Sequence, residues 1–141
     1  MDNCIFCKIV KGEIPAEKIY EDKDTFAFLD IAPAQPKGGH TLVIPKKHYE
    51  LISDLSDDDA VALMLAVKKI SKALLKCSEG LNVLQNNKAV SGQLVPHVHV
   101  HLVPRFQNDG IIIEKWLPHK YPKGEMNKIA EQIKELLKEV K

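Results

Sequence analysis

Ser91-Gly92-Gln93-Leu94-Val95-Pro96-His97-Val98-His99-Val100-His101-Leu102-Val103-Pro104-Arg105 is the stretch from which the rest of the chain is read. From His97 to Leu102, imidazoles and branched apolar side chains alternate one for one. A period of two puts alternate side chains on opposite faces of a strand. One face therefore carries three imidazoles and the other carries Val98, Val100 and Leu102, which suit a core. Pro96 and Pro104 bracket the run, as expected where ladder pairing begins and ends. The turn-prone Ser91-Gly92-Gln93 before it lets backbone approach a ligand closely. Two chemistries fit such a face: metal ligation by neutral imidazoles, and attack on an electrophile by one imidazole while its neighbours position and protonate.

The length of 141 residues suits one domain, able to bury about two thirds of its unfolded surface. Hydrophobic content of 45% and charged content of 28% are ordinary for a globular chain. A net charge of +1 gives no electrostatic footprint for DNA, RNA or an anionic membrane. No apolar run approaches the roughly 20 residues that span a bilayer. The first residues lack a basic segment followed by an apolar one, so no secretory signal is read and a reducing, cytoplasmic setting is expected. In that setting the three cysteines are thiols rather than a disulfide framework.

Outward from the histidine stretch the elements follow in order. Lys18–Glu21 and Thr25–Leu29 read as strands about an Asp22-Lys23-Asp24 turn, and His40–Pro45 reads as a third. Ser56 to about Ser78 is a helix capped by Ser56, with Asp57, Asp58 and Asp59 in its first turn. Its buried stripe is Ala60, Leu63, Val67, Ile70 and Leu74, widened by Met64, Ser71 and Leu75. Leu81–Gln85 is a fourth strand and the histidine run a fifth. Ile111–Ile113 suggests a further short strand. Glu125–Val140 is an amphipathic helix whose Met126, Ile129, Ile133, Leu136 and Val140 are expected to face inward. The expected fold class is α+β: a mainly antiparallel sheet of about five strands, a long central helix and a C-terminal helix. Near the start, Cys4 and Cys7 form a C-x-x-C that reads as a redox motif, half a metal site, or incidental.

His97-Val98-His99-Val100-His101-Leu102-Val103 resembles the His-φ-His-φ-His-φ-φ signature (φ apolar) of the histidine triad superfamily of nucleotide hydrolases and transferases. Ile5-Phe6-Cys7-Lys8-Ile9, Glu13-Ile14-Pro15-Ala16, Phe26 to Pro33 and His40 to His48 are similar to its Hint branch. The resemblance covers about residues 4–105 of a single domain spanning 1–141, with 106–141 as a C-terminal extension. It implies a hydrolase that cleaves at the α-phosphorus of a purine nucleotide derivative through a covalent nucleotidyl-histidine. It implies His99 as nucleophile, His101 beside the leaving atom and His40 in the cluster behind them. Asp30 would meet the ribose hydroxyls, while Ile5, Phe6 and Ile31 would wall the base. Asn86 and the loop Gly92, Gln93, Leu94 and Val95 would hold the phosphate. Relatives with the C-x-x-C imply a structural zinc on Cys4, Cys7, His48 and His97, and the family implies a homodimer.

Leu94 departs from the Hint pattern, which has a serine there, and Gly92-Gln93 with Pro104-Arg105 is closer to Fhit-like dinucleoside polyphosphate hydrolases. Phosphoramidate and dinucleoside polyphosphate substrates therefore both stay open. Val98 argues against the transferases, which have proline at that place. Outside the enzyme class, a nucleotide-binding adaptor with incidental catalysis fits the same residues. A metal held directly by the three histidines is the remaining reading.

Overall fold

A computed structural model describes residues 3–113 and 116–141. The chain divides into two compact units, Met1–Ile111 and Ile112–Lys141. In the first, the elements run α1 (Ile5–Val10), β1 (Lys18–Glu21), β2 (Thr25–Leu29), β3 (Thr41–Pro45), α2 (Asp57–Leu74), β4 (Gly80–Gln85) and β5 (Val100–Arg105). The five strands form one antiparallel sheet in the order β1-β2-β3-β5-β4. The α+β class and the strand count follow the sequence reading.

Each strand of this sheet separates its side chains by the period of two. Ala27, Val43, Val98, Val100 and Leu102 turn to the face covered by α2 and pack on Leu63, Ala66, Val67 and Ile70. Burying a branched side chain of this size contributes about 1.5–3 kcal/mol, so this layer is a main source of stability. Phe26, Phe28, Leu42 and Ile44 turn to the other face and pack on Cys4, Phe6 and Ile9 at α1. The three histidines share that second face, because they alternate with Val98, Val100 and Leu102.

Several expectations are corrected. Ladder pairing in β5 starts at Val100, so His97 and His99 precede the strand itself, His97 within a bend. The reason is pairing: β3 meets β5 only from Thr41↔Leu102 to Val43↔Val100, and Val98 N–H donates instead to Tyr49 O at 2.7 Å. Pro104 lies inside β5, paired with Leu81 of β4. Its missing N–H falls beyond the end of β3, where no ladder bond is lost. Gly38 makes room beside it: its φ is +93°, and a Cβ there would stand 2.8 Å from Pro104 Cβ. The buried stripe of α2 is narrower than expected, since Ala60, Met64 and Leu75 are exposed. Ile111–Ile113 forms no strand.

The short α1 was not legible as a helix. Cys4 caps it, its sulfur accepting from Cys7 N–H at 3.4 Å, and Phe6 and Ile9 are its buried residues, with Cys7 and Val10 partly buried beside them. In the second unit, α3 (Glu125–Lys138) carries the expected helical periodicity, but no residue of it is buried. Its lysines pair with glutamates three residues earlier, as at Lys134–Glu131, 2.8 Å. No helix among the described residues is long and apolar enough to cross a membrane.

Candidate active site

The histidine face opens into a cavity of about 740 Å³. Ile5, Phe6, Ile9, Phe28 and Leu42 give part of it an apolar wall; His99, His101, Asp30, Gly92, Leu94 and Val95 also line it. Ile31 lines it too while fully exposed at its rim. Among the described residues, Glu17 and Asp30 are the charged lining residues.

His99 and His40 each have one ring nitrogen fixed by a main-chain group, and His40 in turn fixes His101, so the tautomers follow from geometry. His99 Nδ1 lies 2.7 Å from His97 O. A carbonyl only accepts, so Nδ1 carries the proton and Nε2 keeps its lone pair. The edge of Phe6 packs on the His99 ring at 5.1 Å between centroids and limits its rotation. His40 is arranged the opposite way. Ala34 N–H donates to His40 Nδ1 at 2.9 Å, so the proton sits on Nε2. That Nε2–H lies 2.9 Å from His101 Nδ1, which must accept it. His101 therefore carries its own proton on Nε2. One ring offers a lone pair, and the ring 5.0 Å away offers an N–H.

Burial favours the neutral form of His101 and His40. His101 falls from its ordinary 6.5 to about 4, first by desolvation and then by His99 and His40. Burial lowers His40 as well, opposed by Asp30, whose Oδ2 stands 3.6 Å from His40 Nε2 and 4.0 Å from His101 Nδ1. The other carboxylate oxygen of Asp30 accepts from Ala32 N–H at 2.9 Å.

The loop Asn86–Val95 borders the same space. Gly92 has φ +101°, and a Cβ there would come within 3.3 Å of Asn86 Nδ2. The Gly92 N–H is spent on Ala89 O and the Gln93 N–H on Lys88 O. Leu94 N–H and Val95 N–H, like those of Asn87, Ala89 and Val90, have no acceptor among the described residues, and of these five residues Leu94 and Val95 line the cavity. The Gln93 side chain is buried and bonds to Glu50 O and Lys88 N–H.

A second histidine cluster lies beside the first. Cys4 Sγ and Cys7 Sγ stand 3.4 and 3.6 Å from His97 Nδ1, and Cys7 Sγ lies 3.4 Å from His48 Nδ1. All four ligand atoms lie within 4.8 Å of one another. Tetrahedral zinc with ordinary Zn–S and Zn–N bonds separates its ligand atoms by roughly 3.5 Å, so the set fits. His97 Nε2–H donates to Pro45 O at 2.9 Å, which leaves Nδ1 free to ligate. Burial lowers His97 to about 4, while burial and Cys4 push the Cys7 thiol up to about 11. A bound cation would reverse that cost for the thiol.

Asp30, His40 and His101 form a further group with ligand-type atoms in reach of one another. It does not fit a metal. His40 Nδ1 accepts from Ala34 N–H, so a metal on Nε2 would require an imidazolate. The structure thus separates the two chemistries that the histidine row left open: His97 turns towards the cysteines, and His99 and His101 turn towards the cavity. The groups that fix them (Pro45 O, His97 O, Ala34 N–H) are main chain, so no residue type announces them.

Comparison with known proteins gives the family. The HIT domain family matches residues 11–108. An uncharacterized HIT-like protein of Methanocaldococcus jannaschii is 44% identical over 139 residues, covering 98% of each chain. An adenosine 5'-monophosphoramidase of Schizosaccharomyces pombe is 40% identical, covering 96% of this chain and 99% of that one. Among solved structures, a histidine triad nucleotide-binding protein from Candida albicans superposes with a TM-score of 0.88. It is 38% identical and covers 99% of this chain and 100% of its own.

Proposed function

The chain belongs to the HIT family, and from that premise we propose that it hydrolyses a nucleoside 5'-phosphoramidate, with His99 as nucleophile and His101 as proton donor. One observation carries the reading: His99 Nε2 bears a lone pair and His101 Nε2 a proton, side by side in one cavity. His99 Nε2 attacks the α-phosphorus and the P–N bond breaks. The departing amine takes the Nε2 proton of His101 as His101 recovers one from solvent, so that ring stays neutral. The nucleotidyl-imidazolium so formed keeps its Nδ1–H on His97 O. Water then adds its hydroxide to phosphorus and its proton returns to solvent, releasing the nucleoside monophosphate and restoring His99.

Leu94 N–H, Val95 N–H and the Asn86 amide would hold the non-bridging oxygens as charge develops. The apolar wall around Phe6 suits a base, and Asp30 the ribose hydroxyls. Zinc on Cys4, Cys7, His48 and His97 would tie the N-terminal segment to the triad without entering the reaction, its chemistry being structural. The carboxylates of Glu17 and Asp30 in the lining favour an amine leaving group over a polyphosphate chain, whose extra negative charges they would repel.

Turnover of adenosine 5'-phosphoramidate and of diadenosine tetraphosphate tests this. A higher kcat/KM for the phosphoramidate supports the reading, and a higher value for the tetraphosphate overturns it. Tight nucleotide binding without turnover of either would make the protein an adaptor.

A further inference from the structure

The loop that borders the phosphate end of the cavity is held in an unfavourable shape by its own side chains. Lys88 has φ 72° and ψ 157°, a region that residues with a Cβ rarely occupy. Such a conformation persists only where surrounding contacts over-determine it. Here the contacts converge from two amides. Gln93, 7% exposed, accepts from Lys88 N–H through Oε1 at 2.7 Å and donates through Nε2 to Glu50 O at 2.7 Å. Asn87 Oδ1 accepts from Ile52 N–H at 2.8 Å, which ties the other end of the loop to the same segment. Ser91 Oγ closes the turn on Lys88 O at 3.0 Å.

Gln93 immediately precedes Leu94 and Val95, which line the cavity and whose N–H groups have no acceptor among the described residues. We infer that Gln93 is a positioning residue for those donors: its amide, turned away from substrate, pins the strained Lys88 peptide to Glu50 and so fixes where Leu94 N–H and Val95 N–H point. The inference rests on the proposed phosphoryl chemistry for its consequence, though not for its geometry. Without the clamp the Lys88 peptide relaxes, and the donors lose their aim at oxygens whose charge grows in the transition state. A small displacement of such groups is costly, because they act through distance and direction.

The test uses the full-length protein and Gln93→Leu, which removes both bonds while keeping apolar bulk. In hydrogen exchange without nucleotide, the Lys88 amide is protected in the wild type and should exchange about tenfold faster or more in the variant. With phosphoramidate substrate, kcat should fall by about tenfold or more while KM changes less, as expected for donors used mainly in the transition state. Gln93→Glu guards against a folding failure. It still accepts from Lys88 N–H but donates to Glu50 O only when protonated, so its activity relative to wild type should rise as pH falls. An unchanged Lys88 exchange rate in Gln93→Leu overturns the inference, and so does a freed Lys88 amide with kcat intact. A wild type that neither binds nor turns over nucleotides would defeat the proposed reaction instead, and the exchange rates would still decide whether Gln93 holds the loop.

Discussion

His40→Ala probes the proton side of the site and leaves the nucleophile alone. In the wild type, His40 Nε2–H occupies His101 Nδ1 at 2.9 Å and so forces the His101 proton onto Nε2. Removing His40 frees Nδ1, and the nearest charged acceptor is Asp30 Oδ2 at 4.0 Å. With the His40 ring gone, a small shift of either side chain closes that gap to a hydrogen bond; one to a charged group contributes about 1.5–3 kcal/mol, and the proton would move to Nδ1 to gain it. At 1.36 kcal/mol per tenfold, the competent tautomer becomes about 10- to 150-fold scarcer. The loss should appear in kcat for a phosphoramidate, whose amine must leave protonated. It should shrink to a few-fold for a p-nitrophenyl ester of AMP, whose leaving group departs as an anion. Melting temperature measured alongside separates any folding defect, since His40 is only 7% exposed. Equal losses on both substrates would refute the tautomer argument.

The remaining perturbations address stability and metal. His97 and His101 both sit near 4 in the fold, against 6.5 ordinarily. Below about 6.5 the unfolded chain binds protons that the native rings refuse, so metal-free protein should lose stability as pH falls from 6.5 towards 4. A denaturation midpoint flat across that range would contradict the burial argument. Stripping metal with a strong chelator should lower the melting temperature, and zinc should restore it in the wild type but not in Cys4→Ser. Turnover should survive stripping wherever the fold does, because neither His99 Nε2 nor His101 Nε2 joins the cysteine cluster; immediate loss of activity in folded protein would favour a metal on the triad.

Much of this arrangement could be read from the chain because it depends on period. Alternation at His97–Leu102 put three imidazoles on one face and three core groups on the other, and both faces stand as read. Ser56 and the acids after it marked the start of α2, whose N-cap bond to Asp59 N–H is 3.1 Å. The C-x-x-C was legible as a pair but not as the first turn of a helix, since six residues held by Phe6 and Ile9 carry no periodic signal. The helical stripe in α3 was equally clear, yet its exposure was not: periodicity gives a face and says nothing of what covers it. Ring tautomers were out of reach, because carbonyls and amides of any residue type can set them. The partners of the Gln93 side chain were out of reach for a related reason: an amide beside a phosphate loop reads the same whether it turns to ligand or to scaffold.

Intact-protein mass after rapid, acid-free quenching with adenosine 5'-phosphoramidate, on wild type and His99→Ala, tests the central claim most directly. The account predicts an adenylyl adduct on wild type and none on His99→Ala. Rapid turnover with no adduct on the wild type at any quench time, or an equal adduct on His99→Ala, would contradict it.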